Sequence, residues 1–245
     1  MDDLALVEVL FAASAAARAA LDELEDWGPN GLRPGQYRLD VVADKAAIAV
    51  LSEAGLSVLS EESGWTDGPL PLLAVLDPID GSTNAFRGIP MYSTSICVFD
   101  TDGPWVGAVV NHPLGQGFHA IRGAGAWRDG AAIAPSKCEV LSDSIVGLSG
   151  SVVGGLGSWQ HRTLGCASLE FCAVAEGSLD AYVLGQGISL RPWDYLAGLL
   201  ICVEAGATIS ELDGCDPWIR SDEPRRPIAA STEQLLQAIL AATSG

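Results

Sequence analysis

Eight consecutive residues carry most of the chemistry this sequence offers. They are Asp77-Pro78-Ile79-Asp80-Gly81-Ser82-Thr83-Asn84, and they follow the apolar run Leu72-Leu73-Ala74-Val75-Leu76. A buried strand that ends in two carboxylates is costly, because each acid loses hydration and repels the other unless a cation or a donor offsets it. Gly81 permits a tight turn, and Ser82, Thr83 and Asn84 are residue types that cap helices. A helix start beside paired acids offers N–H groups to an anion and oxygens to a hard cation. Phosphate chemistry assisted by Mg²⁺ uses both.

Three further acids stand at expected element ends. Glu61 closes a short strand in Ser60-Glu61-Glu62-Ser63-Gly64, and Asp44 lies near a helix start in Asp40-Val41-Val42-Ala43-Asp44-Lys45. Asp194 opens another helix in Pro192-Trp193-Asp194-Tyr195-Leu196-Ala197-Gly198, where the helix dipole favours a carboxylate. Each alone reads as a cap or a surface acid. Together, with hydroxyls nearby, they read as a metal site. Rival motifs fail: Gly154-Gly155-Leu156-Gly157 lacks the spacing of a dinucleotide or phosphate loop and reads as a surface loop, and no Gly-x-Ser-x-Gly elbow exists. Nor does the segment fit the Asp-x-Asp-Gly-Thr pattern of the haloacid-dehalogenase phosphatases, because Pro78 and Ile79 separate its acids.

Around these points the hydrophobic periodicity predicts helices over 4–26 and 42–54, with a loop over 32–40. Short strands follow at 56–60 and 72–76. Strands at 92–99, 105–111 and 117–121 and a hairpin over 123–130 suggest helices on a mainly antiparallel sheet. After a crossing near 134–138 come strand 144–148, a glycine-rich loop over 150–157, helix 167–176 and strand 179–184. Helix 193–205, strands 207–211 and 228–231, and a last helix capped by Ser231 or Thr232 complete a mixed second sheet. With no repeat or linker, residues 1–245 read as one catalytic unit with halves 1–137 and 138–245.

Composition narrows the partners. The 245 residues are 49% hydrophobic, enough for a sizeable core, and carry 13 basic against 31 acidic residues for a net charge of −18. That charge argues against nucleic acid and against an anionic membrane surface. Six cysteines without a Cys-x-x-Cys pair suit a reducing cytoplasm, and His112, His119 and His161 lack metal-ligand spacing. The acidic start leads one to expect no secretory leader, and no uncharged apolar run approaches the roughly 18 residues of a membrane span.

The segments Ser60–Ser63, Asp77–Asn84 and Trp193–Gly198, in this order and spacing, resemble the signature set of the inositol monophosphatase family, and the similarity extends over Gly123–Gly130 and Gly165–Gly177. The resemblance implies an α/β fold of the α+β sugar-phosphatase type, with two sheets and packed helices layered αβαβα. It implies a lithium-sensitive phosphomonoesterase working through two Mg²⁺ ions, or three with Asp44. Glu61, Asp77 and the carbonyl of Ile79 would hold the first ion, and Asp77, Asp80 and Asp194 the second. A metal-activated water would attack in line, oriented and deprotonated by Glu61 with the Ser82 hydroxyl, while N–H groups of Gly81, Ser82 and Thr83 hold the phosphate. Asp44 joins Glu61 and Ser82 as a catalytic candidate, and Asp80, Arg162, Cys166 and Arg191 are candidates for substrate contacts.

The same comparison leaves the substrate open. Ser82 stands for the usual Thr, Val41 for another, and the loop Lys before it has no equivalent. The segment Gly185–Arg191 replaces one in which many inositol phosphatases place a sugar-binding Glu. Leu190-Arg191 and Asn84–Pro90 are more similar to archaeal enzymes that also cleave fructose 1,6-bisphosphate. The expected substrate is a small phosphate ester, myo-inositol 1-phosphate first. Fructose 1,6-bisphosphate, histidinol phosphate and a bisphosphate nucleotide are alternatives, with Arg87, Arg162 or Arg191 placed for a second phosphate. A catalytically silent binding or scaffold relative is the reading from another class. Relatives imply a homodimer, in which an apolar strand such as Tyr92–Phe99 serves an interface or the core equally well.

Overall fold

The computed structural model describes residues 1–31, 33, 35–152 and 155–243. Gly154 of the glycine-rich loop lies outside them. Two long helices lead, α1 (Asp3–Asp22) and α2 (Arg38–Glu53). Then come β1 (Ser57–Ser60), β2 (Gly64–Thr66), β3 (Leu73–Asp80) and the short α3 (Ser82–Arg87). An antiparallel run continues through β4 (Ser93–Asp100), β5 (Gly103–Asn111), β6 (Gln116–Ile121), β7 (Gly125–Arg128) and β8 (Ala131–Ala132). The later half contains β9 (Ile145–Ser149), β10 (Gln160–Arg162), α4 (Ala167–Ala175) and β11 (Ala181–Leu184). It closes with α5 (Pro192–Ala205), β12 (Thr208–Glu211), β13 (Pro227–Ala230) and α6 (Glu233–Thr243).

Eight strands form one sheet in the order β2-β1-β3-β4-β5-β6-β7-β8, and five form another in the order β10-β9-β11-β13-β12. The first sheet is antiparallel except where β1 runs parallel to β3. The second is mixed, with β10, β9 and β11 parallel and β13 and β12 antiparallel. Three apolar clusters define the layers. Leu6, Leu10, Ala43 and Leu51 of α1 and α2 meet Leu76, Val98 and Val106 on one face of the large sheet. Phe171, Tyr195 and Leu199 of α4 and α5 fill the space between Val75, Cys97 and Val109 of the large sheet and Tyr182 and Ala229 of the small one. Leu235, Leu236 and Ile239 of α6 cover its outer face. The αβαβα layering expected from the resemblance is what the chain adopts.

Two expectations need correction. By length and composition α1 does reach the measure of a membrane span, with a mean hydropathy of 1.8, because Glu8 and Arg18 interrupt its apolar run without lowering the average enough. Its buried stripe of Leu6, Leu10, Ala13, Ala17 and Leu21 faces α2 and the sheet. The second helix begins at Arg38, not near 42, because the Asp40 carboxylate accepts the Tyr37 N–H at 2.9 Å and closes the first turn. Three strands, β2, β8 and β10, are additions to the sequence reading. The segment from Tyr92 is an interior strand, since β4 lies between β3 and β5 and is buried nearly throughout.

Helices α4 and α5 approach closely because Gly198 has no side chain. A Cβ there would meet Phe171 Cβ at 2.6 Å and the Ser168 carbonyl at 3.1 Å. Replacing Gly198 with Ala forces this interior apart, and overpacking of this kind costs about 1–3 kcal/mol. Denaturant titration should show a lower midpoint for Gly198→Ala; an unchanged midpoint would mean that the helices separate freely.

Candidate active site

The acids converge because three element ends meet. Strand β1 runs parallel to β3 with Ser60 opposite Leu76, so Glu61 emerges beside Asp77; its N–H donates to the Leu76 carbonyl at 3.1 Å. Residues three apart in a regular strand point to opposite faces. Here the pairing slips by one residue between Asp77 and Asp80, which face Ser95 and Ser93 of β4. Those serines are two apart, so the extra residue at Pro78-Ile79 turns both acids toward the same side. That side looks at α4 and α5: Ser95 donates to the Trp193 carbonyl at 3.0 Å, and the Ser93 and Ser168 hydroxyls are 2.7 Å apart. Asp194 arrives on the first turn of α5, where its Oδ2 accepts the Arg191 N–H at 2.8 Å.

Oxygens of Glu61, Asp77 and Asp194 all lie within 4.8 Å of one another. Burial, and then the charges of Glu61 and Asp80, push Asp77 well above the ordinary carboxylate range. Burial and Asp80 raise Asp194 to about 7. Glu61, whose side chain opens on a cavity, is raised to about 8 by burial first and then by the charges of Asp194, Glu62 and Asp40. Asp77 Oδ1 is buried with no hydrogen-bond partner. An all-oxygen set of repelling acids with an orphaned atom fits a hard divalent cation.

Asp80 sits beside the three but is partly engaged. Its Oδ2 accepts the Ser168 N–H at 2.7 Å and the Ser168 hydroxyl at 2.6 Å, and the Cys166 thiol approaches to 3.3 Å. The start of α4 thus holds one oxygen of this acid. Gly81 follows at φ 87°, a left-handed conformation that favours glycine. A Cβ at Gly81 would also meet the Met91 carbonyl at 2.9 Å and the Gly165 carbonyl at 3.2 Å. Ser82 and Thr83 then open α3, whose first-turn N–H groups lack intrahelical partners. The Ser82 hydroxyl donates to the Ile79 carbonyl at 2.8 Å, and Thr83 Oγ1 lies 3.1 Å from the Tyr37 hydroxyl.

Asp44 does not face Ser82. It is bound by the Ser60 hydroxyl, one helical turn farther along α2. The carboxyl beside Ser82 is that of Asp40, raised to about 6 by burial against the opposing pull of the Ser82 hydroxyl. Asp40 is 3% exposed and its Oδ1 has no partner. Sequence reading missed it by assigning 32–40 to a loop. The signal was an acid three residues after Tyr37, a capping arrangement in which the cap is not a usual Ser or Thr. Of the substrate candidates, Cys166 is buried against Asp80, and Arg191 borders a cavity of about 420 Å³ with Arg33, Gln36, Glu61, Glu62, Trp193 and Asp222. Arg162 lies on the edge strand β10, bound to Gln160 and to the His161 carbonyl.

Comparison with known proteins agrees with this geometry. The profile of the inositol monophosphatase family matches residues 36–245. A fructose-1,6-bisphosphatase of Pyrococcus furiosus is 34% identical over 209 residues, covering 82% of this chain and 81% of that protein. A fructose-1,6-bisphosphatase/inositol-1-monophosphatase of Archaeoglobus fulgidus is 36% identical over 180 residues, or 71% and 69% of the two chains. A solved structure from Pyrococcus horikoshii, described as having similarities to inositol-1 monophosphatase, superposes with a TM-score of 0.83 at 27% identity over 97% of this chain and 96% of that one.

The carboxyl cluster makes metal-free stability depend on pH. Groups whose folded pKa lies above the unfolded value stabilise the fold while protonated, and that stability is lost as pH rises through the folded pKa. With Asp194 near 7, Glu61 near 8 and Asp77 raised as well, the loss begins near the unfolded carboxylate pKa of about 4 and is complete near pH 8, and its part from pH 6.5 to 8 is the window free of histidine titration. His112, lowered to about 4 by burial, acts below pH 6.5 in the opposite sense. In a chelator, the melting temperature should fall by at least about 4 °C over that window, and millimolar Mg²⁺ should restore most of it at pH 8.5. A flat or rising melting temperature in chelator would refute this.

Proposed function

The chain belongs to the inositol monophosphatase family and is a phosphoric monoester hydrolase, and on that premise we propose that it hydrolyses small sugar or polyol phosphates with Mg²⁺. Asp77 and Glu61 with the Ile79 carbonyl, and Asp77 with Asp80 and Asp194, would hold the ions, with Asp80 contributing the oxygen that α4 leaves available. When bound, they neutralise the acids and supply Lewis-acid activation of water and phosphate. The observation that carries this reading is the buried, unpartnered Asp77 oxygen among mutually repelling carboxylates.

The chain's own groups then divide the work. Glu61, the member open to the cavity, orients and deprotonates the attacking water. First-turn N–H groups at Gly81, Ser82 and Thr83 receive the phosphate oxygens. Ser82 has one hydroxyl proton and two neighbouring acceptors, the Ile79 carbonyl and Asp40. A hydroxyl turned toward the orphaned Asp40 oxygen presents its lone pairs to the water. Asp40 is therefore the acid placed for this positioning role, while Asp44, the candidate for a third ion, accepts from the Ser60 hydroxyl. A cytoplasmic location and a homodimer belong to the same reading; the six free cysteines suit a reducing compartment.

Phosphate release from at least one of myo-inositol 1-phosphate, fructose 1,6-bisphosphate, histidinol phosphate and a bisphosphate nucleotide should appear with Mg²⁺ and vanish in chelator. Asp77→Asn should lower kcat by about a thousandfold or more while raising metal-free stability. If no phosphomonoester is turned over, the reading fails in favour of a silent binding relative. For the positioning role, Asp40→Asn should lower kcat by about a hundredfold and Asp44→Asn by much less. The reverse order would assign the role to Asp44.

A further inference from the structure

A second cavity, of about 500 Å³, shares no residue with the one at Glu61. It lies between α1 and the β5–β6 hairpin, where both walls are short of side-chain volume. On α1 the run Ala12-Ala13-Ser14-Ala15-Ala16-Ala17 offers only small residues. Facing it stand Gly115 and Gly117, and a Cβ at Gly117 would meet the Phe11 ring at 2.8 Å. The rest of the lining is largely aromatic: His119 meets Phe11 edge-on at 5.7 Å and is itself backed by Trp127, stacked at 5.0 Å. A space of this size is within the range of small-molecule sites.

Its polar groups are few, and two of them are not engaged. Ser14 is 2% exposed, and its hydroxyl has no partner. A serine inside a helix commonly donates to the carbonyl one turn back, and this one does not. The second is His112. Thr94 gives its proton to the Pro78 carbonyl at 2.8 Å, so its oxygen accepts from His112 Nε2, also at 2.8 Å. That tautomer leaves a lone pair on Nδ1, to which no described residue donates. The charged groups around the cavity are already bound. Arg18 donates to Asp22 through Nε at 2.9 Å and Nη2 at 2.7 Å, and Asp129 accepts the Gly117 N–H at 2.8 Å. Such a site suits a neutral molecule. Its flat apolar body would lie against Phe11 and His119, with a hydrogen-bonding group for Ser14 and a donor for His112.

His112 also connects this cavity with the metal acids. Pro78, which receives the Thr94 proton, lies in the bulge that turns Asp77 and Asp80 to one side. The connection is shielded from water, since His112 and Thr94 are 8% and 1% exposed. A donor placed on Nδ1 polarises the ring and strengthens the series from Nε2 through Thr94 to Pro78. We infer that this cavity is an effector site for a small uncharged aromatic molecule bearing an O–H or N–H donor, and that its occupancy favours the bulge that holds the metal acids together. Ser14, Thr94 and His112 take no part in the proposed reaction. Occupancy of the cavity and binding of Mg²⁺ favour one another by the same factor.

Calorimetric titration with phenol and with indole, in chelator and in saturating Mg²⁺, tests this. Each should bind in chelator with a dissociation constant of about a millimolar or less, and about fivefold more tightly with Mg²⁺. Toluene lacks the donor and should bind at least about fivefold more weakly than phenol. Benzoate should bind no more tightly than phenol, because Arg18 is paired with Asp22. Ser14→Ala should weaken phenol binding without lowering the melting temperature, since the hydroxyl it removes makes no bond. Ala15→Trp, at an exposed position of α1, should block the cavity and abolish binding. Thr94→Val should bind phenol and lose the Mg²⁺ dependence. Melting temperatures establish that each variant is folded. If neither phenol nor indole binds, the site is overturned and the cavity belongs to water; if Ala15→Trp then changes the oligomeric state, it belongs to a second copy of the chain. Tighter binding of benzoate would overturn the ligand class. Binding that ignores Mg²⁺, or a folded Thr94→Val that keeps the dependence, would overturn the link to the bulge. Mg²⁺ titrated alone shows whether the metal reading has failed and taken that link with it, while the titration in chelator reports on the cavity either way.

Discussion

The structure depends on the repulsion among carboxylates that have been forced to share a small, poorly hydrated space. Asp77 is the centre of it: 2% exposed, inside a strand that is buried on both faces, with one oxygen unpartnered. Like charges there raise one another's proton affinity. An acid cluster of this kind weakens the fold at neutral pH until cations occupy it. The surrounding elements are arranged to hold the oxygens together in spite of that cost.

Three backbone devices do so. Parallel pairing of β1 with β3 sets Glu61 beside Asp77. The slip in β3–β4 register brings Asp80 to the same side. The first turn of α5 delivers Asp194 with its backbone already tied to it. A fourth connection joins the halves of the chain, because Asp80 takes hydrogen bonds from Ser168 at the start of α4. Asn84 bonds the Met91 and Leu164 carbonyls at 2.9 and 2.8 Å, and Glu170, buried and raised to about 7 by its burial, receives the Leu164 N–H. The loop that carries Cys166 is therefore gripped from both sides. Docking of the second half shapes the site, even though most of the acids belong to the first.

The acids and the cavity rim occupy different parts of this arrangement. The acids and the α3 start are fixed by strand ends and helix turns, which tolerate little change. Arg33 and Arg191 border the cavity from segments just outside α2 and α5, where side chains vary without disturbing the sheets. A family can keep one chemistry on such a frame while its members differ in the ester they accept, as the names of the relatives differ.

The sequence by itself determined the acid-rich motifs, their order, the two sheets with their helices and the kind of chemistry, because those follow from residue type, hydrophobic period and local turn chemistry, while the αβαβα layering followed from the family resemblance. Asp77–Asn84, with paired acids after an apolar run, was legible for that reason. Tertiary structure decided which acid stands beside Ser82, which arginines reach the cavity, and how far Asp80 is already engaged. Asp40 and Asp44 lie on one helix a turn apart, and sequence spacing cannot say which turn packs on α3. Arg33 and Arg191 are 158 positions apart, and only the meeting of their segments over Glu61 makes them neighbours of one cavity. Local propensity acts over a few residues, whereas a site is assembled by contacts across the whole chain.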